Sequence, residues 1–121
     1  MREKEIGESL GSAAGFVENA MEDLKEGRPE ELDLNIWKAL ESIEYAAFLL
    51  SLEDILSPEK RTRHKGEKGQ EDAVSLTNTL DLLREGVKIA DLGSESRSLS
   101  KCVWNARRIL LRVQRNRLGR S

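Results

Sequence analysis

One histidine, one cysteine, two prolines and 4% aromatic residues stand among the 121 residues of this chain, and each scarcity closes a class of function. A single cysteine, Cys102, cannot form an internal disulfide, so the expected compartment is reducing and cytoplasmic. His64 lies in a polar segment with no cysteine near it. Neither a metal site nor a nucleophile-and-base pair can be assembled around it, so no catalytic residue, metal ligand or cofactor is assigned. Paired carboxylates such as Glu22 with Glu26, or Glu41 with Glu44, could ligate metal in a helical bundle, but the histidines that complete di-iron sites are missing. The longest unbroken apolar run, Ala46 to Leu50, falls far below the roughly 20 residues of a membrane span. The first five residues alternate charge where a signal peptide would carry an apolar core. Neither a membrane nor a secretory route is expected, and the length suits a single domain, 1–121, with one core.

Charge is what the chain has in abundance, at 35% of residues, and it is segregated. Residues 1–56 carry fourteen Asp or Glu against five Lys or Arg, whereas eight Lys or Arg and no acid follow Glu95. Either the two ends neutralise each other within one fold, or the basic end is offered to something anionic.

Apolar periodicity predicts four helices, at about 3–26, 34–56, 71–92 and 95–118, and no strand. The first carries the stripe Ile6, Leu10, Ala13, Val17, Ala20 and Leu24 and is ended by Gly27 and Pro29. Asp33 is the expected N-cap of the second, whose stripe is Ile36, Ala39, Leu40, Ile43, Ala46, Ala47 and Leu50. Tyr45, Phe48, Leu49, Leu52, Ile55 and Leu56 add apolar surface on its other sides, so it reads as the helix most enclosed by neighbours or by a partner chain. Ala73, Leu76, Leu80, Leu83, Val87 and Ala90 mark the third, with Gly93 as C-cap. Ser94 or Ser96 caps the fourth, with the stripe Leu99, Cys102, Val103, Ala106, Ile109, Leu110 and Val113. Residues 57–70 contain no apolar side chain and are expected to be a mobile loop. The other connections are short, which favours an all-α, antiparallel four-helix bundle made of two helical hairpins.

The hairpins echo each other weakly. Leu24-Lys25-Glu26-Gly27 is answered by Leu83-Arg84-Glu85-Gly86, and Ile36-Trp37-Lys38-Ala39 by Val103-Trp104-Asn105-Ala106. The unequal spacings, 59 and 67, would require an eight-residue insertion, so chance is the preferred reading.

Two surfaces stand out as candidate sites. Gly7, Gly11 and Gly15 lie four apart beside the first stripe, and each costs roughly 0.5–1 kcal/mol against alanine inside a helix. They mark either a groove for close approach of another helix, or a frayed start with the helix beginning near Ser12. With Tyr45, Phe48, Leu52 and Ile55 they form the self-association set, and a homodimer is expected. On the fourth helix, Arg97, Lys101, Arg108, Arg112 and Arg115 cluster on one face with Trp104 and Leu111 at its edge. That arrangement suits a stacked base and held phosphates of RNA or another single strand. It equally suits the centre of a protein interface, or a buried tryptophan with arginines paired to the acidic half. An overall pI near 5.6 opposes general affinity for nucleic acid.

The succession of Asp23-Leu24-Lys25-Glu26-Gly27, Lys38-Ala39-Leu40-Glu41-Ser42-Ile43-Glu44-Tyr45-Ala46-Ala47, His64-Lys65-Gly66 and Ala90-Asp91-Leu92-Gly93 resembles the HEPN-like helical bundle superfamily. HEPN ribonucleases carry an Arg followed a few residues later by a His late in the bundle. No histidine follows residue 64 here, and neither Arg61 nor Arg63 has that spacing to His64. The resemblance therefore implies a four-helix, usually dimeric module without the nuclease site, which binds RNA or a protein partner. The leading expectation is a non-enzymatic interaction or regulatory module; the alternative is an RNA-binding accessory protein.

Overall fold

The computed structural model describes residues 2–52, 72–92 and 96–119, which form four helices: α1 (Arg2–Glu26), α2 (Pro29–Leu52), α3 (Asp72–Leu92) and α4 (Ser96–Gly119). The expected loop 57–70, the extension of the second helix to residue 56, Ile55, His64, and the caps Gly93 and Ser94 lie outside the described residues. α1 is continuous from Arg2, so a helix beginning only near Ser12 is ruled out.

α1 ends as the sequence requires. Gly27 adopts φ +74°, a left-handed conformation that glycine reaches without Cβ strain. Its N–H reaches back to the Leu24 carbonyl, and the Arg28 N–H donates to the Asp23 carbonyl at 2.9 Å, closing the last turn in a Schellman pattern. α2 then begins at Pro29, five residues before the expected start, and Asp33 is not its cap. Proline suits the first helical position, where its missing N–H would have no intrahelical partner. The first bond runs from the Leu32 N–H to the Arg28 carbonyl, and the turn so gained buries Leu32.

Every residue of the expected stripes of α2 and α4 is buried, as is that of α1 except for half-buried Leu24. On α3 the stripe holds at Leu76, Leu80, Leu83 and Ala90, but Ala73 is exposed and Val87 half-buried. α1 packs on α2 and α3, and α4 packs on the same two. Circling the bundle, the order is α1, α2, α4, α3. Ser9 bonds Ser42, Gly7 approaches Ala90, Glu44 pairs with Arg107, and Asp72 pairs with Arg117. All four neighbouring pairs are therefore antiparallel, in two hairpins.

The hairpins repeat each other in burial more closely than their short motifs suggest. Leu32, Ile36, Ala39, Ile43 and Ala46 of α2 correspond to Leu99, Val103, Ala106, Leu110 and Val113 of α4, each 67 positions on and all buried. Leu10, Ala13, Ala14, Val17 and Ala20 of α1 correspond to Leu76, Thr79, Leu80, Leu83 and Gly86 of α3, 66 positions on. The spacing of 59 drawn from Leu24-Lys25-Glu26-Gly27 is thus the wrong register for α1 and α3, and no eight-residue insertion is needed.

Candidate interaction surfaces

On α2, residues three, four and seven apart share a face. Leu34, Trp37, Glu41, Tyr45 and Phe48 fall within an arc of about 80° opposite the core stripe. The four apolar members are 49%, 53%, 50% and 55% exposed. Tyr45 and Phe48 are not covered by the chain's own helices, which leaves the partner-chain alternative open for them; only Leu49 of the added residues described is buried. The side chain of Leu52 lies outside the description.

The glycines of the self-association set do not join this stripe. Gly7 is buried, and a Cβ there would stand 3.2 Å from the Ala90 Cβ. Its close contact is with α3 of the same chain. Gly11 and Gly15 have open space around them and share the side of α1 on which Glu18 pairs with Arg84 of α3. The opposite side of α1 meets α2, through the Ser9–Ser42 bond and Lys38 lying 5.8 Å over the Phe16 ring. The two glycines thus belong to the α1–α3 face of the bundle, across from α2 and α4. Among the described glycines the closest approach is at Gly86, buried in α3, where a Cβ would stand 2.8 Å from Leu10 Cδ1 and 3.6 Å from Cys102 Cβ.

The basic face of α4 divides in two. Arg107 pairs with Glu44 of α2 at 2.5 Å and lies 5.3 Å from the Trp104 ring. Arg117 pairs with Asp33 of α2 and, at 3.6 Å, with Asp72 of α3. These two arginines do neutralise acids of other helices. Arg112 also has a partner. Lys101, Arg108 and Arg115 make no ion pair among the described residues; they are seven apart and so line up along the outside of α4. The Arg108 Nε is buried without a hydrogen-bond partner. Trp104, 37% exposed, stands beside this row rather than in the core. The Arg97 side chain lies outside the description.

A polar cluster that periodicity gives no sign of closes the α1–α2 turn. The buried Asp23 carboxylate accepts from Arg28 Nε at 3.1 Å and from Asn35 Nδ2 at 2.6 Å. That hydrogen bond, helped by the nearby charges of Glu26 and Glu31, holds the Arg28 guanidinium above its ordinary pKa. Asp23, Arg28, Pro29, Leu32 and Arg117 line a shallow open cleft at this end. Asp23 and Arg28 pair with each other there, and Arg117 pairs with Asp33 and Asp72 beside it. Cys102 is buried, and burial, with Glu85 nearby, pushes its thiol above the ordinary range. Among the described residues no group of three or more His, Cys, Asp or Glu gathers as a metal site, and no helix is long and apolar enough to cross a membrane. Comparison with protein-family models, with curated proteins and with solved structures finds no match to this chain.

Proposed function

We propose that the protein is a non-enzymatic, cytoplasmic interaction module that self-associates through the outer face of α2. The observation that carries this reading is the row Leu34, Trp37, Tyr45 and Phe48, four large apolar side chains half exposed on one face of a packed helix. Single exposed apolar residues are ordinary, but a contiguous row rich in aromatics marks an interaction site. The HEPN-like kinship is part of the proposal and agrees with a four-helix module that acts as a dimer. Trp37→Glu with Phe48→Glu tests it. Both side chains are more exposed than buried, so the double variant keeps the helicity and melting temperature of the parent while losing association on size-exclusion chromatography. Retained association in a folded double variant overturns the role of α2.

A second reading is favoured by one observation, the row Lys101, Arg108 and Arg115, without ion pairs among the described residues, beside exposed Trp104. It makes the protein an RNA-binding accessory factor. Binding of single-stranded RNA would then weaken steeply with salt, with a log–log slope on the order of −2 for three neutralised phosphates. Trp104→Ala would cost roughly 1–3 kcal/mol of affinity if the ring stacks a base.

A further inference from the structure

We infer that the second copy docks about a two-fold axis parallel to the helices, so that α2 of each copy lies on α4 of the other with Glu41 facing Arg108. This rests on the self-association reading and specifies its geometry.

The outer faces of α2 and α4 correspond position by position. At the same spacing of 67, Trp37 corresponds to Trp104, Glu41 to Arg108, Tyr45 to Arg112 and Phe48 to Arg115. One helix offers aromatics around an acid; its counterpart offers cations around a tryptophan. α2 carries five acids and one lysine, and α4 carries seven Lys or Arg and no acid. The two helices lie side by side, so their common face is acidic and apolar along one edge and basic along the other.

Two ways keep the helices aligned when such a face is laid on its own copy about a two-fold axis in the contact plane. With the axis across the helices, α2 meets α2 and α4 meets α4, which opposes like charges. With the axis along the helices, α2 meets α4 in both halves, antiparallel as within the chain, and heights along the bundle are preserved. The pairings Glu44–Arg107 and Asp33–Arg117 set those heights. Glu41 comes level with Ile109 and Leu110, within about 3 Å of Arg108 at the helical rise. Phe48 comes level with Trp104, and Trp37 falls between Leu111 and Arg115. Glu41 and Arg108 each lean from the contact plane toward the same outer edge, and neither has an ion-pair partner among the described residues. Two helices of 24 residues, about 36 Å long and each about 10 Å across, present about 700 Å². A specific complex needs roughly 800 Å² from each partner, so this face nearly suffices for a second copy.

Charge reversal read by sedimentation equilibrium tests the geometry. Glu41→Arg and, separately, Arg108→Glu each raise the dimer dissociation constant about tenfold or more, since each opposes like charges twice. The double variant E41R/R108E regains parental association, and so does an equimolar mixture of the two single variants. E41R/R108Q, whose neutral amide removes the like-charge contact, also recovers most of the association; it serves where R108E lowers helicity. An unmodified protein that stays monomeric overturns the self-association reading and this inference with it. A dimer indifferent to E41R overturns only the geometry. Rescue by the mixture without rescue by the double variant places α2 on α2 and overturns the geometry as well. A dimer indifferent to R108E, with RNA affinity lost in that variant, assigns the cations to nucleic acid instead.

Discussion

Glycine shows how position decides energy in this fold. Gly11 and Gly15 sit mid-helix with open space around them, so a methyl group there meets nothing and removes backbone freedom from the unfolded chain. Gly11→Ala and Gly15→Ala should each stabilise the protein by about 0.5–1 kcal/mol in urea unfolding. Gly86→Val should do the reverse, because its side chain must enter the space that Leu10, Leu99 and Cys102 fill. A glycine has no side chain to contribute to a periodic pattern, which is why four-residue spacing pointed to Gly7, Gly11 and Gly15 and passed over Gly86. Cys102 carries a second prediction at this scale. Its raised thiol pKa favours the protonated, folded form. The corresponding stability is complete below the unfolded pKa and declines as pH rises from there through the folded value. Native protein should react with a thiol reagent at mildly alkaline pH only as fast as it opens, and melting temperature should fall across the alkaline thiol range. A rapid stoichiometric reaction in the folded state would contradict the burial.

Among the elements, the core faces of the helices were legible because a 3.6-residue repeat needs no knowledge of the neighbours. Trp104 was placed at the edge of the basic face by the same geometry. The start of α2 was not, because Asp33 is a good N-cap in isolation, while the strength of Pro29 appears only once Gly27 turns the chain. Ion pairing was illegible for a different reason: which cations meet acids depends on which helices become adjacent. Arg107 and Arg117 lie against α2, whereas Arg108, one residue along, points away. The two pairings differ in weight. Arg107–Glu44 is surface-exposed and worth about 0–1 kcal/mol, so Arg107→Ala should scarcely change stability. Arg117 is mostly covered and ties the last turn of α4 to the first turns of α2 and α3. Arg117→Ala should lower the melting temperature by on the order of 3–5 °C and speed amide exchange at those three helix ends. An effect no larger than that of Arg107→Ala would mean that the helix ends are held by packing alone.

At the scale of the whole molecule, the segregated charge of the chain has two destinations. Part of the basic end neutralises acids within the bundle, and part stays open on the outside of α4 beside the acidic, apolar face of α2. The opposite face, made by α1 and α3, carries exposed Gly11, the Glu18–Arg84 pair and further charged residues, and among the described residues it has no comparable apolar row. The central claim is that the α2–α4 face is covered by a second copy of the chain. Sedimentation equilibrium of the unmodified protein across the micromolar range tests it most directly. The mass should rise from one chain to two and stop there, as a closed two-fold contact demands; a single-chain mass at every concentration would contradict a second copy on this face.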